Sequence, residues 1–245
     1  MPKIFPYRFS ITIIALTLML MFALSGCSDG LQSSASSRDK QIPGGGGEKQ
    51  GKRNTEYTFM PDSTGLWLFN MIVDGDGSSD INVLDQNGEP FTPQRIGGGD
   101  RDTFLVAWFD EGTTYTINTV LRPYPNGNPM SYTLTAAPVG TIPGGGGNAR
   151  ATGYYSVFTF TPDLSGTWAF RTSDANIRAE WLRAPGLVLS EISDLDLNDF
   201  VYDSGGGGES DSLITMQLDA GTTYRISIEL AGKSDSCALA VSRIE

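Results

Sequence analysis

The chain has 245 residues, 39% hydrophobic, 10% aromatic and 18% charged, which supports a packed core and excludes a disordered chain. Histidine is absent, and with it Ser-His-Asp and Cys-His catalysis, His-ligated zinc and histidine pH switching. The formal charge is −11, and residues 54–245 carry 10 basic against 25 acidic side chains, a balance that repels nucleic acid and anionic headgroups.

Lys3 and Arg8 precede an apolar run at 11–24, which has the length of an export-signal core and is short for a membrane span. The run ends in Leu24-Ser25-Gly26-Cys27, which resembles the lipobox of bacterial lipoproteins. That resemblance implies cleavage before Cys27 and acylation of the cysteine, palmitate among its chains. The mature chain would begin at Cys27 and be more acidic than the precursor, because Lys3 and Arg8 are lost. Two or more acyl chains hold a protein stably on a membrane, where one binds marginally. Ser28 rather than Asp follows the cysteine, which by the same resemblance favours the outer membrane. Residues 27–53 are rich in Ser, Gly and Lys and nearly devoid of apolar side chains, so they are expected to form a flexible tether. Within them, Gly46 to Lys52 nearly matches a phosphate-binding loop, but Arg53 stands where Ser or Thr is required and no apolar strand precedes it.

Ile42-Pro43-Gly44-Gly45-Gly46-Gly47 recurs at an offset of 100 as Ile142-Pro143-Gly144-Gly145-Gly146-Gly147. Phe59, Pro61, Asp62, Gly65 and Trp67 return as Phe160, Pro162, Asp163, Gly166 and Trp168. Gly112-Thr113-Thr114-Tyr115 returns as Gly221-Thr222-Thr223-Tyr224. The offset has grown from 101 at Trp67 to 109 at Gly112, so the second copy holds a net insertion between Trp168 and Gly221. The Pro-Gly runs read as linkers. Strands are expected at 55–60, 66–72, 81–85, 104–109, 113–120 and 130–137. In the second copy they are expected at 155–161, 167–172, 177–183, 212–218, 222–230 and 236–244, all rich in β-branched and aromatic residues. The expected fold is all-β: two tandem antiparallel β-sandwiches, jelly-roll-like, at 54–140 and 153–245, joined by a weakly coupling linker at 141–152.

An aromatic strand, then Pro61-Asp62 with Gly65 and Trp67, then Leu84-Asp85 with Gly88, Asp110-Glu111-Gly112-Thr113-Thr114-Tyr115 and a closing Ser131-Tyr132 strand, is similar to the bacterial pre-peptidase C-terminal domain. The second copy matches at Gly166, Trp168, Asp211-Ser212-Leu213 and Asp219 to Tyr224, and departs between 177 and 200. The resemblance implies accessory sandwich modules.

Asp74, Asp76 and Asp80, spaced by glycines, are the first candidates for oxygen ligands to calcium, with Asp194, Asp196 and Asn198 as the second; the competing reading is an acidic solvated turn. Asp203-Ser204-Gly205 matches one half of an aspartic-protease signature without its second carboxylate and is read as a turn. Cys237 has no predicted disulfide partner and reads as a small buried apolar residue. Trp67, Trp168, Tyr115 and Tyr224 recur in register and are expected in the cores, while Trp108 and Trp181 are candidates for an exposed ligand surface. The expected function is a lipid-anchored, non-catalytic binding or adhesion module of the cell envelope. Its partners would be the membrane, through the lipid, and an extracellular protein or polysaccharide, with no nucleic acid. The alternatives are a structural or assembly partner in the envelope, or a secreted-type hydrolase or its accessory subunit.

Overall fold

The computed structural model describes residues 40–91, 94–97, 102–177, 184–192, 200–203, 211–230, 232 and 235–244. The predicted signal at 1–26, with Cys27 and the start of the tether, lies outside them. The first sandwich is built from β1 (Gln41–Ile42), β2 (Gly47–Gly51), β3 (Thr55–Phe59), β4 (Gly65–Asp74), β5 (Gly77–Leu84), β6 (Pro90–Phe91), β7 (Gln94–Gly97), β8 (Thr103–Phe109), β9 (Tyr115–Pro123) and β10 (Ser131–Pro138). The second uses β11 (Gly140–Ile142), β12 (Gly147–Thr152), β13 (Tyr155–Phe160), β14 (Gly166–Asn176), β15 (Gly186–Glu191), β16 (Phe200–Asp203), β17 (Leu213–Leu218), β18 (Tyr224–Glu229) and β19 (Ser236–Arg243).

The sheet orders are β1-β3-β9-β5-β6 facing β2-β10-β4-β8-β7, and β11-β13-β18-β15-β16 facing β12-β19-β14-β17. Most successive strands alternate between sheets, the habit of a jelly roll. Among the described residues the pairings are antiparallel except the short match of β1 with β3 and its repeat, β11 with β13. The strand order of the first copy is therefore reproduced in the second, apart from β7. The alternation of side chains explains the layering: Trp67, Phe69, Met71 and Val73 of β4 point inward and are buried, while the residues between them are half-buried.

The structure moves the predicted boundaries. Residues 41–51 are not tether, and 141–152 are not linker. Ile42 and Ile142 are buried in the two cores, β2 pairs with β10, and β12 pairs with β19. The composition misled because β2 (GEKQG) and β12 (GNARAT) are edge strands, held by backbone hydrogen bonds and carrying the charged side chains that edges favour. The Pro-Gly run before each is the corner that takes the chain from one sheet to the other. Gly46 N–H bonds to Pro43 O at 2.9 Å and Asp62 N–H to Gly44 O at 3.1 Å; Gly146 and Asp163 repeat both bonds at 2.8 and 3.1 Å.

The insertion in the second copy is divided in two. The offset between copies is 101 at Phe69 and Phe170, 106 at Val83 and Leu189, and 109 at Leu105 and Ile214, from the strand registers. Most of the extra chain thus precedes β15 and the rest follows it. β15 takes the place of β5 and was missed because Pro185-Gly186 reads as a turn; the strand expected at 177–183 falls, beyond Ile177, outside the described residues.

The expectation of weak coupling between the copies also changes. Phe104 on β8 is buried against the second copy, its ring centroid 4.4 Å from that of Tyr155 and 6.2 Å from that of Tyr154. The two sandwiches meet through aromatic packing.

Candidate functional site

The three first-choice metal candidates are not gathered into a cage. Asp74 ends β4 in one sheet, Asp80 lies in β5 of the facing sheet, and Asp76 sits in the crossing turn. Asp76 Oδ2 accepts from the backbone N–H and the side-chain amide of Asn128, both at 2.9 Å, and its carbonyl accepts from Tyr124 N–H at 3.0 Å. Asp80 accepts from Ile81 N–H at 2.9 Å and faces Arg122 at 3.6 Å. Among the described residues no group of three or more His, Cys, Asp or Glu is placed to hold a metal; Asp194, Asp196 and Asn198 lie outside them. Asp76 instead clasps the 124–129 loop. Replacing it with alanine should cost about 1–2 kcal/mol in urea denaturation, the loss of charge-assisted bonds to Asn128, and equally so with and without calcium. A loss of stability seen only in calcium would restore the metal reading.

Asp203 serves a similar structural end: its Oδ2 accepts from Leu213 N–H at 2.7 Å, tying β16 to β17. The recurrent aromatics are core residues, as expected. Trp67 and Trp168 are buried and donate to Ser63 O at 3.4 Å and Leu164 O at 3.3 Å. The Tyr115 and Tyr224 hydroxyls accept from Asp110 N–H at 3.2 Å and Asp219 N–H at 3.1 Å, pinning the same corner in each copy.

The two interiors differ in polarity. In the first, the Tyr57 and Tyr132 hydroxyls lie 2.8 Å apart and Thr119 donates to Tyr132 at 3.0 Å. Burial, reinforced by the bond to Tyr132, holds the Tyr57 phenol well above its ordinary range. Strand register puts Phe158, Cys237 and Ile228 at these positions in the second copy. Cys237 is thus a buried core filler, and desolvation pushes its thiol up to about 11, so it is uncharged at neutral pH.

The outer face of the β4–β8 sheet carries Trp108, one of the two tryptophans read as candidates for a ligand surface. Register places Leu66 beside Trp108, Leu68 beside Val106 and Asn70 beside Phe104. Phe104 and Val106 are buried, whereas Trp108 is 51% exposed at the end of the row. Trp108 therefore presents an indole next to a half-buried leucine; Trp181, the other candidate, lies outside the described residues. Sequence reasoning missed one group altogether: Arg225, buried on the outer face of the second copy.

No family model matches the chain, and no curated protein matches it. Among solved structures, the CUB1-EGF-CUB2 region of human MASP-1/3 aligns at 7% identity with a TM-score of 0.29, over 81% of this chain and 99% of that one. A chain from Eubacterium rectale described as a secreted protein aligns at 8% identity with a TM-score of 0.27, over 79% of this chain and 72% of that one. These alignments assign no family, and the assignment of two β-sandwiches stands on the strand order and register above.

Proposed function

We propose that this is a lipid-anchored protein of the bacterial cell envelope, most consistent with the outer membrane, acting as a non-catalytic binding or adhesion module. The sequence of the signal and Cys27 supports the anchoring. The resemblance of short sequence motifs in each copy to the pre-peptidase C-terminal domain supports an accessory role. The observation that carries the binding reading is Trp108, half exposed beside Leu66 on a paired strand. A large indole fixed on a sheet presents contact area at small entropic cost, which suits the face of a sugar ring or an apolar side chain of a protein.

The test is retention of extracellular polymers and host-surface proteins by the full chain and by its Trp108→Ala variant. Removing an exposed anchor of this kind should weaken binding by roughly 10- to 30-fold, about 1.4–2 kcal/mol, without lowering the melting temperature. Equal retention by both chains would dismiss Trp108 as the contact. Retention of a single resident envelope protein would favour the assembly role instead.

A further inference from the structure

On the second sandwich, β15 and β18 pair so that Ser190 stands opposite Arg225 and Val188 opposite Ser227. Ser190, Arg225 and Ser227 therefore share the outer face, since Leu187, Leu189, Ile226 and Ile228 between them fill the core. All three are buried, Arg225 to 4% exposure. Arg225 Nη2 donates to Ser190 Oγ at 2.9 Å. Its Nε and the Ser227 hydroxyl are fully buried and make no hydrogen bond among the described residues. Desolvation lowers the guanidinium to about 10, which still leaves it cationic at neutral pH.

A buried cation with no carboxylate paired to it among the described residues is a costly arrangement, one that hydrophobic residues of similar volume would improve upon. The fold does not require it: register gives Leu84, Thr116 and Asn118 at these positions in the first copy, all half-buried and none charged. What the three side chains offer together is the edge of a guanidinium with an adjacent hydroxyl, the donor set that a carboxylate accepts with both oxygens. Tyr202, which pairs with Val188 on the same face, is half exposed.

We propose that Arg225, Ser227 and Ser190 form a receptor for one carboxylate, specific to the second sandwich. The carboxylate is either a small free acid or the side chain of an acidic peptide, and both use the same donors.

The full chain is melted while sodium acetate, and separately the tripeptide Gly-Asp-Gly acetylated at its N-terminus and amidated at its C-terminus, replaces sodium chloride at matched ionic strength. Filling the site should raise the melting temperature of the unmodified chain by roughly 2–4 °C. The Arg225→Met variant should show no such rise and should melt above the unmodified chain in chloride, because an uncompensated buried charge is gone. Should that variant fail to fold, Ser227→Ala keeps the cation and removes one donor, and half-saturation should move about tenfold higher. A response to acetate alone assigns a free acid; a tighter response to the tripeptide assigns a side chain. No rise in the unmodified chain, or the same rise in the variants, overturns the proposal.

Discussion

Phe59→Ala should destabilise the first sandwich by about 3–5 kcal/mol, the range for emptying a buried aromatic site. Phe59 is fully buried, and three rings meet its own nearly edge-on: Trp67 at 5.0 Å, Phe69 at 5.4 Å and Phe109 at 5.5 Å. Each such pair adds about 0.5–1.5 kcal/mol beyond the area it buries. Among the described residues the equivalent ring, Phe160, meets two rings, Trp168 at 4.9 Å and Phe170 at 5.8 Å, because Leu218 stands where Phe109 would be. Phe160→Ala should therefore cost less than Phe59→Ala, by roughly 1 kcal/mol. Urea denaturation followed by tryptophan fluorescence reads both, since Trp67 and Trp168 sit against the replaced rings. A loss below about 1 kcal/mol for Phe59→Ala would contradict the packing described, because only a surface-like site gives so little.

The second large effect separates a linker from a sheet-crossing corner. Gly46 and Gly146 have φ of +92° and +90°, a region that costs an L side chain about 1–2 kcal/mol. A β-carbon there would also stand 2.5 Å from Ala136 O or Val241 O, backbone atoms of the adjoining strand. Alanine at either position should thus destabilise its own sandwich by about 2–4 kcal/mol, conformational cost plus displaced backbone. Gly145 is the control: its nearest obstacle is Asp163 Oδ2 at 3.9 Å, and alanine there should change stability by less than about 1 kcal/mol. A flexible linker would make all of these substitutions neutral.

These glycines show where sequence reading succeeds and where it stops. The repeat, the strands with period-2 alternation and the buried fate of Trp67, Trp168, Tyr115 and Tyr224 were legible, because each follows from apolar patterning that only a half-buried sheet satisfies. β2 and β12 were not legible, because an edge strand is held by its backbone and its side chains report solvent. The carboxylates of Asp76 and Asp203 looked available for chemistry, yet each ties a loop or strand through backbone N–H groups that no composition reveals. The contact of Phe104 with Tyr155 was hidden for a similar reason. A run such as Phe104-Leu105-Val106-Ala107 signals burial on both faces but does not name the second partner. Arg225 was invisible because strand alternation alone places it outward, where a charge is ordinary; its burial emerges only from the assembled fold.

The anchoring at Cys27 is the claim on which the placement of both sandwiches outside the cytoplasm depends. Intact-mass spectrometry of the protein recovered from the membrane fraction, beside its Cys27→Ser variant, tests it directly. The account predicts a chain that begins at Cys27, heavier than its polypeptide by acyl groups, and a variant that is neither acylated nor retained in the detergent phase. An unacylated chain, or a Cys27→Ser variant with unchanged processing and partitioning, would contradict it.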